Sequence, residues 1–101
     1  MFVTEQGQRV NGQWPGSPSP TEHDMLTGST AEGTLMPGLT CNGWTSGSAD
    51  VAAQVGHSDG LGAGGSTAGS NASWNSAHAN AGCNNTAPRG GAGRFYCFAR
   101  N

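Results

Sequence analysis

Apolar side chains come in short bursts along this chain rather than in long periodic runs, so the elements they predict are short strands separated by turns. Phe2, Val3 and Val10 flank the polar stretch Glu5-Gln6-Gly7-Gln8, the pattern of a short hairpin or of the tail of a larger element. Asn11 to Thr21 carries Pro15, Pro18 and Pro20, and prolines at that density remove backbone donors and forbid a helix. An extended loop is expected there, with Trp14 placed to pin it. Asp24-Met25-Leu26-Thr27-Gly28-Ser29 reads as a short strand ending in a glycine turn, and Glu32-Gly33-Thr34 as a second turn. Cys41-Asn42-Gly43-Trp44 opens a strand or turn, and Val51-Ala52-Ala53-Gln54-Val55-Gly56 is the best β-forming run of the middle. The five glycines between Gly60 and Ser70 make a flexible loop. After the lone large side chain of Trp74 and a polar connection from Asn84 to Gly93, Arg94 to Ala99 alternates. Phe95 and Cys97 fall on one face and Tyr96 and Phe98 on the other, as in a central strand covered on both sides. No repeat, heptad or amphipathic helix is present, and no stretch approaches the ~20 apolar residues of a membrane-spanning helix.

Composition sharpens this into a stability problem. With 101 residues the chain has room for one small core, and its 34% apolar content is rich in alanine while 18 glycines raise the entropy that folding must overcome. Such a chain needs cross-links. Its four cations are all arginines, only 10% of residues are charged and the formal net charge is -2, so no basic surface exists to attract nucleic acid. Three cysteines in this setting read as the disulfide framework of an exported protein, which predicts an extracytoplasmic location, secreted or at the cell surface. Met1 to Gln6 has neither a basic start nor an apolar stretch, so the export signal is expected to lie upstream of Met1, outside this sequence.

An ordered set of motifs covers residues 24 to 99: Leu26-Thr27-Gly28-Ser29, Thr40-Cys41-Asn42-Gly43-Trp44-Thr45-Ser46, Ser73-Trp74-Asn75-Ser76, Gly82-Cys83 and Arg94-Phe95-Tyr96-Cys97-Phe98. The set resembles the C-type-lectin-like superfamily, in particular its endostatin-like branch and a bacterial branch of exported domains of unknown function. The resemblance implies a mixed α+β fold of short antiparallel strands and long glycine-rich loops. This chain would supply the C-terminal half, residues 24 to 101, behind a loop-rich or poorly ordered segment 1 to 23, with the N-terminal helices missing. It also implies a Cys41–Cys83 disulfide, an unpaired Cys97 whose partner lies near the start of the full domain, and Trp44, Trp74, Phe95 and Tyr96 as structural anchors. A bridge closing about 40 residues is worth on the order of 4 kcal/mol by chain entropy, a large term for so small a core. On a central strand Cys97 would be buried and inert.

The chemistry that usually accompanies such a scaffold is absent from the sequence. Ser76 stands where calcium-dependent sugar binding needs a carboxylate after the Trp-Asn pair, and a hydroxyl is a poor ligand for a hard dication. Gly56-His57-Ser58-Asp59-Gly60 is the most chemically loaded segment, an imidazole and a carboxylate two apart on a turn, with His78 further along. The spacing matches no tight zinc pattern, so Asp59 is expected to cap its own turn. Ser58, His78 and Asp50 assemble a hydrolytic triad only on paper, because no Gly-x-Ser-x-Gly elbow exists. The leading expectation is therefore a non-enzymatic binding or surface-display module with no metal or other cofactor. Its ligand, a glycan or an envelope protein, would contact the loop from His57 to Ser70, with His57 and Asp59 foremost. A structural cell-envelope domain is the alternative, and a metal-assisted hydrolase using His57, Asp59 and His78 the third reading.

Overall fold

A computed structural model describes residues 2–100. Its centre is a mixed four-stranded sheet of β1 (Asp24–Leu26), β2 (Gln54–His57), β3 (His78–Ala79) and β4 (Gly91–Arg94), in the order β3-β2-β1-β4. β1 runs antiparallel to β2 and parallel to β4, and β2 runs antiparallel to β3. Short helical turns at Ala63–Gly65, Ser70–Ala72 and Ala87–Arg89 punctuate the loops. The molecule belongs to the α+β class by this mixture of a small sheet with a few helical turns.

The expected hairpin is present, with Val3 bridged to Arg9 around a turn closed by the Gly7 N–H on the Thr4 carbonyl. The proline-rich loop follows it, and Trp14 pins it by donating Nε1–H to the Val10 carbonyl beneath the Arg9 guanidinium. The Asp24 strand ends at a glycine turn as expected, with Gly28 at φ 58. Cys41–Trp44, here α1, resolves to a single left-handed turn, with φ of 51, 56, 65 and 64 along its four residues. Three of those four carry a Cβ, a conformation costing ~1–2 kcal/mol per residue, so the turn persists only because its surroundings hold it. The Thr40 hydroxyl accepts from the Gly43 N–H, the Cys41 N–H donates to the Ala52 carbonyl, and Cys41 is bridged to Cys83.

β2 is the most buried element, all four of its residues being enclosed, and Gly56 explains how. A Cβ at Gly56 would collide with the backbone of Trp74 and Asn75, which lies directly across it. The glycine thus lets a second layer of chain close on the sheet. Gly56→Ala is expected to destabilise the domain by about 3 kcal/mol through this overlap, read as a fall in thermal midpoint; an unchanged midpoint would refute the packing described.

Three expectations for the C-terminal part are corrected. The strand predicted over Arg94 to Ala99 is instead Gly91–Arg94, at an edge of the sheet rather than its centre. β1 offers it a ladder of only Asp24 opposite Gly91 and Met25 opposite Arg94, so among the described residues no strand pairs with the chain beyond Arg94. Cys97 is accordingly exposed rather than buried. Trp44, Trp74 and Phe95 are 44%, 51% and 55% exposed, so they are not core anchors. They lie at the surface in two separate sets, Trp44 against Phe95 at 5.3 Å and Trp74 against half-buried Tyr96 at 5.6 Å between ring centroids. The anchor of the Trp-Asn pair is Asn75, buried with its amide donating to the Thr30 and Ala31 carbonyls.

What remains for the apolar core is Val10, Met25, Cys41, Ala53, Val55 and Ala77, all small or medium side chains. A slightly larger buried set is polar: His23, Asp24, Gln54, His57, Ser58, Asn75 and Asn80. Burying polar groups is costly unless each is satisfied, which directs attention to the two histidines and the aspartate among them.

Candidate metal centre

Strand register assembles the site. Asp24 pairs directly with His57 across β1 and β2. Val55 pairs with His78 across β2 and β3, and because side chains two apart share a face, His57 lies diagonal to His78 on that face. His23, immediately before β1, stacks its ring on that of His57 with centroids 3.8 Å apart, and its carbonyl accepts from the Ser58 N–H. All three histidines of the chain thereby gather around one carboxylate.

Each imidazole is oriented through its Nδ1. His57 Nδ1 lies 2.9 Å from the Leu61 carbonyl, His78 Nδ1 2.9 Å from the Ala79 carbonyl, and His23 Nδ1 2.8 Å from Asp59 Oδ1. All three partners are acceptors, so Nδ1 carries the hydrogen in every ring and the neutral tautomer presents a bare lone pair at Nε2. Those Nε2 atoms converge: His57 and His78 approach to 3.0 Å, and His57, His78 and His23 stand 3.1, 3.5 and 3.6 Å from the nearer oxygens of Asp24. Asp24 is 2% exposed, and among the described residues no donor is aligned in hydrogen-bonding geometry to either of its oxygens. The short His57–Asp24 approach is therefore proximity of a lone pair to a carboxylate unless a cation lies between them. The same holds for the His57–His78 contact, where two Nε2 lone pairs repel unless a proton or a metal ion joins them.

The electrostatics show how strongly the groups feel one another. Burial is the largest influence on Asp24 and favours its neutral form, yet the neighbouring His57 and His78 rings together override it and hold the carboxyl below its ordinary value. His78 is pushed up, chiefly by its contact with Asp24 against the opposing effect of burial. His23 is pushed down, first by burial and then by His57, with Asp59 and Asp24 pulling the other way. These are the marks of a site that attracts one positive charge.

The geometry also matches a metal ion. Tetrahedral zinc with bonds of 2.0–2.1 Å to nitrogen and oxygen has ligand-to-ligand edges of about 3.3 Å; His57–His78 at 3.0 Å and the imidazole approaches of 3.1, 3.5 and 3.6 Å to one or the other Asp24 oxygen lie near that edge, although the His23 and His57 rings, stacked 18° from parallel, must turn for both lone pairs to meet one ion. One ligand atom each from His23, Asp24 and His57 can be chosen with all separations within 4.8 Å. The bonds from Nδ1 to carbonyl or carboxylate are the outer contacts that metal-bound histidines use to fix tautomer and direction. Asp59 is itself held by the backbone N–H groups of Gln13 and Leu61. A cleft of about 330 Å³ opens above the three rings, and its walls include Gln13, Asn71 and Arg89.

Comparison with protein-family models, curated proteins and solved structures yields no match. The residues must therefore speak for the site.

Of the residues singled out from sequence, His57 and His78 enter the cluster, and Asp59 stands one layer out, behind His23. Asp59 does cap its turn as expected, accepting from Leu61 two residues on, and it orients His23 as well. His57 belongs to the buried strand β2 rather than to an exposed ligand loop, so the expected contact loop keeps only its later residues at the surface. The side-chain partners of His78 are His57 and Asp24, neither of them Ser58 or Asp50, so the paper triad is not assembled. The Cys41–Cys83 bridge is present, and Cys97 is unpaired. His23 and Asp24 were missed. Their signal was adjacency, an imidazole and a carboxylate side by side at the start of a strand in a chain almost free of charge.

Proposed function

We propose that this chain is a metal-binding domain in which His23, His57 and His78, through Nε2, and Asp24, through a carboxylate oxygen, hold a divalent transition ion of the zinc class. The observation that carries this reading is the orphaned, buried Asp24 carboxylate faced by three imidazoles whose Nδ1 hydrogens are already committed. Imidazole and carboxylate donors suit zinc, copper, iron or nickel far better than calcium or magnesium. The Cys41–Cys83 bridge supports an extracytoplasmic location, where such a cross-link persists. The lectin-like resemblance remains a proposal for the scaffold, supported by the ordered motifs and by the predicted bridge.

A binding role is favoured over hydrolysis. Hydrolytic metal sites need a base beside the ion, whereas here all three histidines and Asp24 are taken up as ligands and Asp59 is engaged by His23. Elemental analysis of protein purified after exposure to excess zinc should find one ion per chain. Asp59→Asn, which weakens the contact that orients His23, should lower affinity by about 10- to 100-fold in a competition titration. Metal content well below one, or equal uptake by His57→Ala protein, would sink the proposal.

A further inference from the structure

The cleft over the metal centre has a chemistry of its own. Arg89 ends the helical turn Ala87–Arg89, and its Nη1 donates at 3.0 Å to the Ala79 carbonyl, the same oxygen that receives Nδ1–H from His78. One carbonyl thus tethers both a proposed ligand and a guanidinium to the same wall. Gly90, at φ 105, then carries the chain over Asp24, where its carbonyl accepts the Asp24 N–H. Arg89 is consequently fixed beside the centre from two directions. Among the described residues its Nε and Nη2 make no hydrogen bond, so the fork that recognises oxyanions is left free.

Charge follows the same direction. None of the described residues lining the cleft is a carboxylate. A divalent ion on the cluster balances Asp24 beneath it and Asp59 one layer out, and Arg89 leaves one positive charge in excess at the wall. The cleft then presents excess positive charge, neutral amides from Gln13 and Asn71, and the outward side of an ion whose protein ligands lie in the floor. With four protein ligands below it, the ion takes a further ligand on this side by expanding from four- to five-coordinate, as zinc does in its open sites.

We infer that the cleft binds a small oxyanion, a carboxylate or phosphate group, coordinated to the metal on one side and gripped by the free edge of the Arg89 guanidinium on the other. This rests on the proposed metal centre and assigns its ligand class.

Cobalt(II) in place of zinc makes the two readings separable, because its visible d–d bands report both loading and a change of ligand. Cobalt-loaded protein should show the bands, and titration with inorganic phosphate, and separately with acetate, should shift them to saturation. Whichever anion saturates at lower concentration identifies the preferred headgroup. Arg89→Gln keeps a long side chain with an amide donor for the Ala79 carbonyl while removing the charge, and it should need about tenfold more anion. Bands that ignore both anions, or that respond equally in Arg89→Gln protein, would overturn the oxyanion site and leave the metal centre standing. Absence of the bands would overturn both.

Discussion

Reducing the Cys41–Cys83 bridge should cost this domain about 4 kcal/mol, because a loop closed between residues 42 apart removes that much chain entropy from the unfolded state. The loss falls on a structure with little else in reserve. Its apolar core is six small or medium residues, whereas several of its large aromatic side chains lie half or more exposed and contribute only part of their area to burial. Stabilities of small domains are only ~5–15 kcal/mol in all. The bridge also anchors α1, whose left-handed residues would otherwise relax toward right-handed conformations. Cys41→Ala/Cys83→Ala protein should therefore unfold at much lower denaturant than the oxidised parent, with hydrogen exchange accelerated first around Thr40 to Ala53. Cys97→Ala, removing an exposed and unpaired thiol, should leave the midpoint where it was. Equal midpoints for the bridged and unbridged proteins would show that the polar interior, not the cross-link, holds the fold.

How much of this was legible in the sequence depends on whether a feature is local. The Asp24 strand, the Gly28 turn, the hairpin around Gly7 and the proline loop were readable because side-chain pattern and turn chemistry act over a few residues. The cysteine pairing followed from a likeness of ordered motifs. Register was not readable: that Asp24 would stand opposite His57, and His57 diagonal to His78, depends on strands 33 and 21 residues away in sequence finding one alignment among several. The alternating run from Arg94 misled for a related reason. Period-two apolarity promises two covered faces, but a strand needs a partner, and β1 pairs with this part of the chain only through Asp24 and Met25, as far as Arg94. The aromatic rings were therefore turned outward onto one another, and the interior was filled with histidine, aspartate and asparagine. His57 and His78 were visible as candidate ligands, whereas His23 and Asp24 looked like an ordinary strand entrance.

Loading the centre with zinc should raise stability by about 4 kcal/mol when free ion is a thousandfold above its dissociation constant, since the four ligands converge only in the folded chain. Chelation should return the protein to its lower midpoint, and Asp24→Asn, which keeps the shape but removes the charge, should melt alike with and without zinc. The size of the effect depends on pH through the competing proton. In metal-free protein, His78 is raised above its ordinary 6.5, so its pairing with Asp24 stabilises fully below that value and fades as pH climbs through the raised one. Asp24, held below 3.8, contributes above that value and loses its contribution only as acid protonates it. Between these limits a proton on the His78–Asp24 pair does part of the work that the metal would do. Zinc must displace it, so the gap between the metal-loaded and metal-free midpoints should widen from mildly acid to mildly alkaline solution. A gap that narrows as pH rises would mean that the imidazoles are not the ligands, and a gap that persists in Asp24→Asn protein would place the ion elsewhere on the chain.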